Sequence, residues 1–88
     1  MDKRLYHLVL VELSDTELAI LEVCKSSPKG KREILAALGY NTMTGNAKQA
    51  LQRLTDFGLI TFTIPAIPNS SLQRRRITAK GLAALRTR

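Results

Sequence analysis

The side chains able to do chemistry in this chain are mostly cations and amides, and they fall in two blocks. Between residues 45 and 53 stand Asn46, Lys48, Gln49, Gln52 and Arg53; between 69 and 76 stand Asn69, Ser70, Ser71, Gln73 and the uninterrupted run Arg74, Arg75, Arg76. Guanidinium and ammonium groups neutralise phosphate oxygens, and planar amides both donate to and accept from base edges, so this combination suits nucleic acid. Covalent and acid–base chemistry find no such support. The single histidine, His7, has no His, Cys or acidic partner at metal-ligand spacing. The single cysteine, Cys24, sits in a strongly apolar helical stretch, where a small buried hydrophobe is expected rather than a nucleophile. No catalytic residue, metal or cofactor is therefore expected, and the chain is not expected to be an enzyme.

Composition points the same way. The chain has 88 residues, 14 basic against 7 acidic, for a net charge of +7 and a pI near 10.2. Such an excess on one small domain implies an anionic partner, with nucleic acid ahead of an anionic membrane. The longest apolar run, Leu8 to Val11, is far too short to span a bilayer, and no secretory leader is evident, so a cytoplasmic location is expected and membrane and small-molecule partners are not. A domain of this size buries roughly 60 to 65% of its unfolded surface. With two Phe, two Tyr and no Trp, its core must be aliphatic.

Positioning the first block requires a helix. At about 100° per residue, Ala47, Ala50, Leu51, Leu54 and Phe57 gather on one side. Gly45, Gln49, Gln52 and Asp56 oppose them, with Asn46, Lys48 and Arg53 on the flanks. Thr42 is the expected N-cap and Gly58 the left-handed terminator. Gly45 in the first turn costs about 1 kcal/mol relative to Ala. Close approach of a phosphate would account for it, although an early Gly can also simply be tolerated, and a solvated face is the commoner meaning of such polar residues. The second block requires a hairpin. Leu59 to Ile64 is rich in β-branched and aromatic residues, Pro65 and Pro68 end strand pairing, Pro68 to Ser71 is turn chemistry, and Gln73 to Thr78 returns as the partner strand. With a side-chain period of two, three consecutive arginines project cations from both faces of this ribbon, which suits it to lie along a phosphate backbone.

The rest of the chain supports these two pieces. Residues 1–12 form an N-terminal extension read as an extra helix, although Leu8 to Val11 is equally acceptable as a strand. Ser14 and Glu17 make the S-x-x-E capping box, with Leu13 and Leu18 at the hydrophobic-staple positions, and open a first helix that runs to about Lys25. Ser26, Ser27, Pro28 and Gly30 break it. Gly30 caps a short second helix, Lys31 to Leu38, with Glu33 in its first turn, Ile34, Leu35 and Leu38 as its core stripe, and Gly39 as its end. Thr78 caps a last short helix carrying Leu82 and Leu85. Two short helices joined by a tight Gly-containing turn and followed by a hairpin predict a mainly α fold with a β-hairpin. This is a winged helix-turn-helix over residues 13–88, with a three-helix core, a two-stranded wing and a short C-terminal helix.

The wing residues Thr63-Ile64-Pro65, Pro68-Asn69-Ser70, Gln73, Arg76-Ile77-Thr78 and Lys80-Gly81 carry a family likeness. With Gly30-Lys31, Glu33-Ile34, Leu38-Gly39, Thr44-Gly45 and Ala50-Leu51 upstream, the chain from about Leu13 to Leu85 resembles the C-terminal winged-helix domain of Fic-type adenylyl-transferring proteins. It is similar also to that of AlbA-domain, helicase-related transcriptional regulators. The resemblance is more specific at the wing than in the helices, and it implies a DNA-binding or regulatory role without catalysis. In that family an aromatic residue is common at the position of Arg75 and a basic one at Ser71, so the charge here has moved from wing tip to strand. His7 is followed by Leu8-Val9-Leu10, without the Gly-rich anion-binding run of a Fic active site, and no G-x-x-x-x-G-K motif occurs.

The resulting expectation is a double-stranded DNA-binding module, a transcriptional regulator or the DNA-binding part of one. Its helix from Thr44 and Gly45 enters the major groove with Asn46, Lys48, Gln49, Gln52 and Arg53 as readers. Lys29, Lys31 and Arg32 meet phosphate at the start of the second helix, and Asn69, Ser70, Ser71, Gln73, Arg74, Arg75 and Arg76 contact backbone or minor groove. The competing expectation is a protein-interaction or dimerisation module that regulates a larger Fic-type or helicase-related protein. In either case the apolar Leu5, Leu8 and Val9 either fold back over the first helix in a monomer or form a homodimer contact, which would set two DNA-reading helices ~34 Å apart or a multiple of it.

Overall fold

The computed structural model describes residues 12–40 and 44–87. The expected extra helix before Leu13, the dimer contact at Leu5, Leu8 and Val9, His7, and the expected cap at Thr42 all lie outside those residues.

Helix α1, Asp15–Lys25, begins where its sequence requires: the Ser14 hydroxyl accepts from Glu17 N at 3.2 Å, and Glu17 Oε1 accepts from Ser14 N at 2.8 Å. Both bonds satisfy N–H groups that the first turn would otherwise leave orphaned. Leu13 and Leu18 pack against the core together, as the staple predicts. Helix α2, Lys31–Leu38, starts at Gly30, whose N–H donates to Glu33 Oε1 at 3.0 Å. It ends at Gly39, where φ is 82° and Tyr40 N reaches back to Leu35 O at 2.9 Å. Helix α3, Gly45–Asp56, is capped by Thr44, whose hydroxyl accepts from Ala47 N at 3.0 Å. The cap therefore sits two residues after the Thr42 position that the pattern suggested, because Thr44 places its hydroxyl against the third helical N–H.

The strands are shorter than expected. Strand β1, Ile60–Phe62, pairs antiparallel with β2, Arg75–Ile77, in the register Ile60 with Ile77, Thr61 with Arg76 and Phe62 with Arg75. The ladder stops because a side chain takes over. Thr63 N still donates to Arg74 O at 2.9 Å, but Arg74 N donates to Thr63 Oγ1 at 3.3 Å instead of to the Thr63 carbonyl, and Ile64 N turns to Gln73 Oε1 at 2.9 Å. On its other edge β2 gains a rung that the sequence did not suggest. Lys29 N donates to Arg75 O at 2.9 Å and Arg75 N to Lys29 O at 2.8 Å, so the α1–α2 connection is stitched to the hairpin. Helix α4, Ala79–Thr87, follows. Thr78 Oγ1 accepts from Gly81 N at 3.1 Å and donates to Gly58 O at 2.6 Å, tying the cap of α4 to the end of α3.

The core lies where α1 meets α2, α3, α4 and the strands. Ile20, Leu21, Cys24, Ile34, Leu54 and Ile60 are its largest fully enclosed members, so the core is aliphatic as composition required. Leu54 lies at the centre of the apolar face of α3, in the same cluster as Ile20, Leu21 and Ile34. Leu54→Ala should therefore cost ~2 to 5 kcal/mol, and a urea melt showing it harmless would mean that this face is turned elsewhere in solution.

Candidate nucleic-acid interface

The solvent side of α3 is built as periodicity demands except at Phe57, expected on the apolar side, which lies past the helix end and is exposed. Ala47, Ala50, Leu51 and Leu54 are buried, while Gly45, Lys48, Gln49 and Gln52 are exposed, with Gln52 Nε2 donating to Asp56 Oδ1 at 2.9 Å. Two expected readers belong to a different side. Asn46 Nδ2 donates to Thr16 Oγ1 at 3.2 Å, and Arg53 Nη2 donates to Glu12 O at 2.8 Å. Arg53 Nε also stands 2.9 Å from Oε2 of the buried Glu17, and its guanidinium lies 5.2 Å from the centre of the Phe57 ring. Both side chains thus clamp α3 to the start of α1. A buried carboxylate holds its cation because separating them would leave an uncompensated charge, so Arg53 tethers α3 to α1.

The hairpin corrects the picture of a ribbon cationic on both faces. Arg75 and Ile77 alternate inward and Arg76 outward, as a period of two dictates. Arg75 is half-buried, and its guanidinium stacks 5.0 Å from the centre of Phe62. Burial pulls that guanidinium below its ordinary value, and the same environment pushes the Cys24 thiol up despite Lys29 and Arg75 nearby, as expected of an inert core cysteine. Gln73 is also withdrawn from the surface. It is buried and spends its amide on the chain itself, with Nε2 donating to Ile64 O at 2.6 Å and Ile67 O at 3.0 Å. These bonds hold the loop between the strands in shape. Ser70 has a similar local task, accepting from Leu72 N at 3.1 Å, whereas Asn69 and Ser71 are exposed.

Arg74 is exposed but paired. Its Nη1 lies 2.7 Å from Glu33 Oε1, the atom that also accepts from Gly30 N, so one carboxylate caps α2 and tethers the hairpin. The Gly30 N–H, with Arg74 and Lys29 adding to it, holds Glu33 below the ordinary glutamate value of 4.5. A carboxyl depressed on folding contributes stability that is present above its unfolded value and is lost as pH falls through the folded one. Denaturant midpoints of the wild type should therefore drop on acidification below about pH 4.5 by more than those of Glu33→Gln; parallel curves would show that the tether does not form.

The cations left without an ion pair among the described residues include Lys31 and Arg32 at the start of α2, Lys48 on α3 and Arg76 on β2, all exposed. Lys29 is half-buried, its Nζ held 2.6 Å from Ser27 Oγ and its backbone committed to β2. The distribution of charge along the chain is uneven in a way that the overall balance conceals. All the carboxylates lie at or before Asp56, whereas Arg74, Arg75, Arg76, Lys80, Arg86 and Arg88 come after it. The hairpin and α4 therefore carry positive charge with no intervening negative charge, a signal present in the sequence once residues 57–88 are taken alone.

No family model matches the chain, and no curated protein does. Among solved structures it is similar to a Fic family protein from Desulfovibrio desulfuricans G20, with a TM-score of 0.69 and 21% identity over 86% of this chain. The match takes in 23% of that protein, so the chain spans less than a quarter of its neighbour's length. At this identity the likeness concerns the fold: a small, mainly helical domain with a two-stranded antiparallel sheet like a region of that Fic family protein. No helix among the described residues is long and apolar enough to cross a membrane.

Proposed function

We propose that this chain is a winged helix-turn-helix module that binds double-stranded DNA, with no catalysis of its own, acting as a transcriptional regulator or as the DNA-binding part of a larger protein. In this reading α2 and α3 are the helix-turn-helix, α3 lies in the major groove, and the hairpin is the wing. The observation that carries it is the coincidence of two surfaces. Lys48, Gln49 and Gln52 stand exposed on α3, and the wing half of the chain holds only cations among its charged groups. Gln49 and Gln52 supply bidentate donor–acceptor pairs for adenine, while Lys48, Lys31, Arg32 and Arg76 supply phosphate contacts. The Fic family neighbour is matched over 23% of its length, which is compatible with a module of a longer protein.

A salt series of duplex binding tests the proposal. With about five phosphates neutralised, log affinity should fall against log salt with a slope of about −4 to −5, and Arg76→Ala should flatten that slope by about one unit while weakening all sequences alike. Arg74→Ala should flatten it less, because Glu33 already competes for that guanidinium. Absence of binding at low salt, or an affinity indifferent to salt, would sink the reading.

A further inference from the structure

The β1–β2 loop presents apolar side chains where a purely electrostatic wing needs none. Ile67 is 58% exposed and Leu72 74%, the two most exposed large hydrophobic residues of the described chain. They are not on a floppy tip. Gln73 binds both Ile64 and Ile67 from inside the loop, Ser70 N donates to Ile67 O at 3.1 Å, Leu72 N to Ser70 Oγ at 3.1 Å and Gln73 N to Ser70 O at 3.0 Å. Pro65 and Pro68 fix two further backbone angles. An ordered loop that holds two aliphatic side chains in water has already met the entropic cost of presenting them, which favours burying them in a partner.

We infer that Ile67 and Leu72 form a wedge that seats in the minor groove of the duplex, against deoxyribose and base edges, while Arg76 holds the neighbouring phosphate. This rests on the DNA-binding reading above and adds to it a contact, a groove and a distortion. Charge complementarity selects the occupant. The loop runs directly into Arg74 and, on β2, Arg76; Arg74 is shared with Glu33, Arg76 has no ion pair among the described residues, and residues 57–88 hold no acidic side chain, so the apolar tip adjoins a group that seeks phosphate. The minor groove is narrow, about 6 Å wide, and admits single aliphatic side chains, which partially unstack a base step and bend the duplex toward the major groove. That bend would bring DNA further round toward α3 and the start of α2.

The test uses the full chain with Ile67→Ser, Leu72→Ser and the double variant, on a duplex labelled at both ends for energy transfer. Both positions are exposed, so melting midpoints should stay at the wild-type value. Each single change should weaken duplex affinity about threefold to tenfold and the pair by more, reflecting lost apolar burial. The salt slope should remain that of the wild type, and the protein-induced change in end-to-end transfer should disappear in the double variant. If the wild type binds with the expected slope but the double variant binds and bends equally well, the wedge is wrong while DNA binding stands. If the wild type fails to bind duplex at low salt, both fall. Loss of self-association or of binding to anionic vesicles on Leu72→Ser, with duplex affinity unchanged, would assign the loop to a protein or membrane contact and overturn the inference.

Discussion

Gly81→Val is expected to remove most of the stability of the domain, and Gly81→Ala to cost ~2 to 3 kcal/mol, as overpacking against atoms that cannot withdraw. A Cβ at residue 81 would stand 2.7 Å from Ile77 Cγ1 and closer still to Leu59 O. The side-chain methylene can shift; the carbonyl cannot. Leu59 O accepts from Thr78 N at 3.0 Å, and Leu59 N is in turn bonded to Leu54 O at 2.9 Å, so moving it disturbs the α3 terminus and the sheet together. Gly45→Ala is the control, because nothing lies within 4 Å of its Cβ position and its backbone is helical. It should be neutral or stabilising by up to about 1 kcal/mol. Denaturant midpoints for both variants decide the matter. An equal, small effect at the two glycines would mean that α4 is free to slide on β1.

Gly81 shows what was legible in the sequence and what was not. Its presence in the Lys80-Gly81 pair was visible, but its reason lies in a contact with Leu59, far away along the chain. Elements written in local code were legible, except the cap of α3, which is at Thr44 rather than Thr42. The S-x-x-E box of α1, the left-handed Gly39 and Gly58, and the Thr78 cap each depend on residues within a turn, and each is formed. The side-chain surroundings that the sequence did not reveal all depend on distant partners. Arg53 appears polar and flanking by periodicity, yet Glu17, a residue already explained by its capping box, recruits it across the core. Gln73 has the composition of a ligand contact and the geometry of a loop clasp, because its distance from Ile64 is set only when the hairpin closes. Likewise Arg75 could be assigned to a face only once the pairing with Phe62 and with Lys29 fixed which face is inner.

With Arg53 ion-paired to Glu17 and Arg75 half-buried against Phe62, the proposed interface rests on fewer cations, and the largest functional effect to be expected falls on those. Lys48 lies on α3 and Arg76 on β2, and neither has an ion pair among the described residues, so their charges are free to act on a ligand. Lys48→Glu with Arg76→Glu should lower duplex affinity by roughly a hundredfold or more at low salt, since each reversal removes one phosphate contact and adds a repulsion, and should bring the salt slope well below that of the wild type. Neither substitution touches the core, and melting midpoints should change little. Lys80→Glu is the decisive comparison. It makes the same change in net charge at an exposed site in the first turn of α4, where an acidic side chain also suits the helix dipole. If duplex binding responds to where charge sits, Lys80→Glu weakens it by far less than either reversal at Lys48 or Arg76. Equal losses at all three would mean that attraction follows net charge alone, and the assignment of α3 and the wing to the DNA face would then have to be abandoned.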